Sequence, residues 1–106
     1  MKTNELRIGN CVKTQIHGVG TVEAISETKI LHSRNYVYLD MEYFEPIPLE
    51  VEDFMSIDED DFLADKTGFV IFKNSYAYQF LYEDYKYMHL LQNLYFALTN
   101  KELTIK

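Results

Sequence analysis

The chain predicts an α+β fold: a small, curled, mostly antiparallel sheet with one C-terminal helix packed on it, in a single domain over residues 1–106. Three observations predict it. β-branched and aromatic residues alternate along much of the chain, and helical spacing takes over only after Glu83-Asp84. The length also suits one hydrophobic core.

Residues 12–17 and 21–25 read as the arms of a half-buried hairpin, because apolar Val22 alternates with Glu23 and β-branched residues are frequent. Gly18 and Gly20 between them suit a tight connection with positive φ. A third strand is expected over residues 35–41, with Tyr36 and Tyr38 on one side and Val37 and Leu39 on the other. Three short strands around a glycine turn give the first half an SH3-like pattern. Pro46 and Pro48 break it, since proline removes a backbone donor and holds the chain extended. Residues 49–57 permit a short helix, and residues 58–61 a solvated turn.

Gly68 opens a second hairpin. Phe69-Val70-Ile71-Phe72 leads to a turn at Lys73-Asn74-Ser75, and Tyr76, Tyr78, Phe80 and Tyr82 then share one face by the period of two. Tyr87, Leu91, Leu94 and Leu98 recur at helical spacing, which predicts a helix over residues 85–98 with this stripe in the core. Glu83 and Asp84 would complement its dipole and Asn100 would cap its C-terminus. Lys101 is expected at the surface, and a last short strand over residues 102–105.

Charge is the most uneven property of the chain. Residues 40–65 carry 11 carboxylates and no Lys or Arg, while each flank holds five basic residues against three acidic ones. The formal net charge of −7 therefore comes from one belt. Such a belt repels phosphate backbones and steers encounter with basic surfaces. Aromatic residues make up 15%, nine of them Tyr, so part of the Tyr content is available as a binding face. The candidate partner-binding residues are Asp53, Asp58, Glu59, Asp60 and Asp61 in the belt, and Tyr76, Tyr78 and Tyr82 on the second hairpin.

No catalytic or metal constellation accompanies them. Asp58 and Asp60 could open a calcium loop, but Phe62 and Leu63 stand where an oxygen ligand and a glycine are needed. His17, His32 and His89 are isolated, and Cys11 has neither a CxxC partner nor an adjacent base. Gly18-Val19-Gly20 leads to a strand and not to a helix N-terminus, which argues against a phosphate cradle. No cofactor, metal or catalytic residue is assigned, and the expectation is a non-enzyme. Lys2, Arg7, Lys13, Lys29 and Arg34 could form a basic patch, yet the overall charge weighs against direct nucleic-acid binding. A single cysteine, no signal-peptide pattern and no long apolar run read as a cytoplasmic chain that does not engage membranes.

Three stretches carry a resemblance. Glu5-Leu6-Arg7-Ile8-Gly9-Asn10 with Val12 resembles the opening of a family of small phage- and prophage-encoded proteins. Phe44-Glu45-Pro46-Ile47-Pro48-Leu49 fits the same family, as does the run from His89 to Thr99 with Glu102-Leu103-Thr104. The resemblance brings no assigned activity, so no functional residue transfers from it. It implies a phage-type binding module acting in the host cell: an acidic inhibitor or modulator of a host nucleic-acid-handling complex, of anti-CRISPR or other anti-defence type. The expected partner is a host protein with a basic surface, an RNA-guided nuclease among the candidates. A small nucleic-acid-binding barrel and a phage structural or assembly component are the alternatives.

Overall fold

The computed structural model describes residues 3–14, 18–34 and 38–103. The first half is an antiparallel sheet of β1 (Cys11–Thr14), β2 (Gly18–Ser26), β3 (Lys29–His32), β4 (Tyr38–Asp40) and β5 (Phe44–Glu45), in the order β4-β3-β2-β1-β5. Its curl has a local cause. Residues 18–21 of β2 pair with β1, the register shifts between Val22 and Ala24, and the rest of the strand pairs with β3. A bulge of this kind bends the strand and increases its twist, so one long strand serves both halves of an open sheet. Val12, Val22, Ile30 and Phe44 meet on its inner side with Leu6.

Several boundaries differ from the sequence-based expectation. Thr14 pairs with Gly18, so Gly18 and Gly20 belong to β2 and not to the connection expected of them; residues 15–17 lie outside the described residues. Gly18 still needs its φ of +75°. Gly20 is required for space, because a Cβ there would collide with the His32 ring. β3 has no separate signal in the sequence, because the Glu27-Thr28 turn that precedes it lacks Gly and Pro and places Glu27 at φ +43°. The expected third strand survives as β4, with residues 35–37 outside the described set, and a 3-10 turn at Met41–Tyr43 ends it.

After the prolines comes a five-residue helix, α1 (Val51–Met55), and then a second antiparallel sheet, β6-β7-β8. Its strands are β6 (Phe62–Ala64), β7 (Gly68–Lys73) and β8 (Tyr76–Leu81). β6 is an addition to the expected hairpin, hidden in the sequence by its shortness and by the acids around it. Asn74 and Ser75 both take positive φ, +50° and +72°, the conformation of a two-residue hairpin turn whose twist matches the strands. The result is two sheets of five and three strands, where a single sheet was expected.

Helix α2 (Met88–Thr99) joins the two halves. It starts later than the periodicity suggests, and Glu83 and Asp84 lie in a separate 3-10 turn, Tyr82–Asp84. No acid therefore sits in its first turn. The prolines' segment supplies the missing cap: Met88 N–H donates to the Ile47 carbonyl at 2.9 Å, and Leu49 N–H donates to the Lys86 carbonyl at 2.7 Å. Asn100 ends the helix in the left-handed region, its N–H on the Phe96 carbonyl at 2.8 Å, as the sequence predicts. Leu91 and Tyr95 pack with Phe54, Phe62, Phe69, Ile71 and Leu103, while Leu94 and Leu98 are only partly buried at the margin of that core.

The other side of α2 is polar and buried. Gln92 accepts from Cys11 N–H at 2.8 Å and donates to the Leu103 carbonyl at 3.2 Å. Asn93 accepts from the Asn10 amide and donates to the Glu5 carbonyl, both at 2.8 Å. Arg7 pairs with Glu102 and lays its guanidinium 4.1 Å from the Phe96 ring centre. The segments beginning at Glu5 and His89 thus meet in one joint, and the Pro46–Pro48 stretch caps the helix that forms it.

Candidate functional site

The acidic belt does not fold into one surface. Asp40 and Glu45 belong to the first sheet and Glu42 to the 3-10 turn between them, and Glu45 pairs with Lys13 at 3.7 Å. Asp65, though exposed, is held in a local turn, accepting from Thr67 N–H, Thr67 hydroxyl and Gly68 N–H. Those bonds, Thr67 N–H foremost, hold its carboxyl below the ordinary carboxylate value. Asp53 caps α1, with an oxygen 2.8 Å from Glu50 N–H.

Asp61 is withdrawn furthest. Its carboxylate receives the Tyr95 hydroxyl and an ion pair from Lys101 at 2.8 Å, with only 19% of the side chain exposed. Burial opposes its charge, but the bonds from Lys101 and Tyr95 outweigh burial and bring the carboxyl below its usual value. Burial, and then the same contact, pushes the Tyr95 hydroxyl up to about 12. Lys101 lies at the surface as expected, yet it is tied to the core through Asp61 and not idle.

Six carboxylates remain on α1 and the loop after it: Glu50, Glu52, Asp53, Asp58, Glu59 and Asp60. Among the described residues none of them joins an ion pair. The fold brings two more acids alongside, which sequence distance concealed. The Phe54 ring of α1 packs 4.5 Å from Tyr82, so the 3-10 turn carrying exposed Glu83 and Asp84 adjoins α1. No local pattern marks this proximity.

The aromatic candidates divide. Tyr76 and Tyr78 are exposed at 68% and 41%, on the face whose next member, Phe80, stacks on Phe69. Tyr82 leaves that row: it lies in the 3-10 turn, packs on Phe54 and Phe69, and donates its hydroxyl to the Asp65 carbonyl. Burial, then the Asp65 charge, raise its pKa. The hairpin tip nevertheless adjoins the acidic loop, since Phe72 N–H donates to the Asp61 carbonyl at 2.9 Å. Asp58, Glu59 and Asp60 thus lie beside the turn from which Tyr76 leaves.

The outer face of the second sheet was not anticipated. Leu63, Phe72, Ala77, Gln79 and Leu81 are exposed there beside half-buried Val70, without a charged side chain among them. An open groove of about 560 Å³ runs between Leu63, Gly68, Val70, Gln79 and Leu81. Its signal was the parity of β7 and β8, whose two faces are both apolar.

The basic patch of the first half is partly spent within the molecule. Arg7 is paired with Glu102 and Lys13 with Glu45, while Arg34 donates to the Val19 carbonyl at 3.2 Å. His32 is buried, with Nε2 3.1 Å from the Val12 carbonyl and Nδ1 accepting from Arg34 N–H at 3.3 Å, so it reads as a structural Nε2–H tautomer. His89 is also buried, and burial lowers its pKa against the opposing pull of Glu5 at 3.6 Å. Among the described residues no three His, Cys, Asp or Glu side chains converge as metal ligands. No helix there is long and apolar enough to cross a membrane. Comparison with protein-family models, curated proteins and solved structures yields no match.

Proposed function

We propose that the protein is a non-catalytic binding module that uses α1 and its following loop to engage a basic surface on a host nucleic-acid-handling complex, as an inhibitor or modulator of anti-CRISPR or other anti-defence type. One observation carries this reading: Glu52, Asp58, Glu59 and Asp60 join no ion pair among the described residues and lie beside Glu50 and Asp53 of the α1 capping box, while Glu45 and Asp61 are paired with lysines and Asp65 accepts from its own turn. An array of fixed negative charge competes with phosphates for a cationic groove, and such charges act chiefly on the rate of encounter. Glu83 and Asp84 extend the array from a second segment.

The experiment is affinity capture of the tagged chain from nuclease-treated host lysate, followed by binding kinetics with the captured protein. The variant combines Asp58→Asn, Glu59→Gln and Asp60→Asn, sparing structural Asp61. Its stability should change by no more than about 0.5 kcal/mol, as for ordinary surface substitutions. Its association rate should fall and its salt dependence flatten. Unchanged rate and salt slope would reduce the loop to a solubility device, and recovery of nucleic acid without a protein partner would favour the nucleic-acid-binding alternative.

A further inference from the structure

Sheet edges expose unpaired backbone groups, and proteins block them with charge, proline, bulges or brevity. Three of the four edges here are blocked. β4 has three residues and ends at Asp40; β5 has two, including Glu45, and runs into Pro46; β6 has three and lies between Asp61 and Asp65. The fourth edge, β8, runs Tyr-Ala-Tyr-Gln-Phe-Leu over six residues with no charge, no proline and no register shift. Among the described residues no strand covers it.

We infer that β8 pairs with β8 of a second copy about a two-fold axis, joining two three-stranded sheets into one of six. The hairpin register dictates how. Lys73 and Tyr76 flank the two-residue turn and form a hydrogen-bonded pair, so Ile71–Tyr78 and Phe69–Phe80 are the next such pairs in the alternation. Ala77, Gln79 and Leu81 consequently aim their N–H and C=O groups at the open edge. A two-fold antiparallel pairing that uses those groups centres on Gln79, opposite itself, with Ala77 opposite Leu81.

That register makes the second copy a better occupant than an arbitrary strand. It sets Tyr78 of each chain opposite Phe80 of the other, a closely spaced aromatic pair made twice about the axis, and lays Tyr76 beside the end of the other chain's β8. Tyr78 thereby gains a partner, and Tyr76, the most exposed aromatic among the described residues, comes to lie at the interface. The ends are also complementary in charge: the hairpin tip with Lys73 lies beside the other chain's Glu83 and Asp84. Glu83 and Asp84 are the residues common to this pairing and the acidic face on α1; the β8 amides and Gln79 belong to the pairing alone, so either reading can fail without the other.

Sedimentation across a concentration series, together with amide exchange, tests the pairing. Dimer formation should protect the Ala77, Gln79 and Leu81 amides as concentration rises, and leave Tyr78 and Phe80, already bonded inside the hairpin, unchanged. Gln79→Lys, which faces a copy of itself across the axis, should weaken the dimer by on the order of tenfold with its thermal melt preserved. Lys73→Glu should weaken self-association at low salt, as should the double change Glu83→Lys with Asp84→Lys. Mixing these two variants should restore pairing as a heterodimer. A chain monomeric at every concentration, a dimer indifferent to Gln79→Lys, or charge variants that fail to pair on mixing would overturn the inference. Protection of the β8 amides only on adding an extended apolar peptide would also overturn it, in favour of a foreign strand.

Discussion

Asp61 shows how far a residue's role depends on its neighbours. Between Asp60 and Phe62 it looks like one more acid of a solvated turn, yet it holds the Tyr95 hydroxyl and the Lys101 ammonium together at the end of α2. Asp61→Asn should lower stability at pH 7 by about 1–2 kcal/mol after allowance for partial solvent screening, read from urea melts. The pH dependence has a definite sign. The folded-state pKa of Asp61 lies below its ordinary 3.8, so the carboxylate contributes stability above that value and loses it as pH falls through the folded pKa. Tyr95 behaves oppositely: with its hydroxyl pushed from 10 up to about 12, its contribution is complete below 10 and is lost as pH rises toward 12. Asp61→Asn should flatten the acid limb of a pH–stability curve, and Tyr95→Phe the alkaline limb. Persistence of both limbs would show that the contact is not the source.

At the scale of the element, α2 carries two unlike faces. Leu91 and Tyr95 bury a hydrophobic contact against the second sheet. Gln92 and Asn93 answer backbone groups of the N-terminal segment and of Leu103. Gln92 is buried at 2% exposure and satisfies one donor and one acceptor of the main chain. Gln92→Leu keeps the volume roughly constant and deprives both groups of partners. It should cost about 2–4 kcal/mol, since an unsatisfied buried polar group costs roughly 1–3. Chemical denaturation reads the loss, and faster exchange of the Cys11 amide should accompany it. A near-neutral result would mean that water replaces the side chain.

For the whole molecule, the two core clusters lie in an elongated body of 42 × 25 × 20 Å, and α2, which packs in the second cluster, also contacts β1 of the first sheet. Sharing one helix couples their unfolding. Leu91→Ala, in the second cluster, should cost about 2–5 kcal/mol, as truncation of a buried leucine does. It should shift a single transition that far- and near-ultraviolet circular dichroism report identically. Val12→Ala, in the first cluster, should shift the same transition. Two separated transitions, each sensitive to one substitution, would show that the halves fold independently.

The sequence by itself determined the α+β class, the β7-β8 hairpin with its Asn74-Ser75 turn, the αL cap at Asn100 and the break at Pro46 and Pro48, all of which follow from local periodicity and backbone preference. It placed the helix start three residues early, because Tyr87 continues the apolar spacing while its real cap comes from Ile47, some 40 residues away. It missed β3, β5 and β6, whose two to four residues are too short for periodicity to register. The candidate site was legible as composition, in the acid run and the tyrosine row, but not as a surface. Only the tertiary structure decided that Asp61, Asp65 and Tyr82 are held inside their own hydrogen bonds, that Glu83 and Asp84 lie by α1, and that β8 stays open. The physical reason is that charge and aromaticity belong to a residue, whereas availability depends on which distant groups the fold brings within hydrogen-bonding reach.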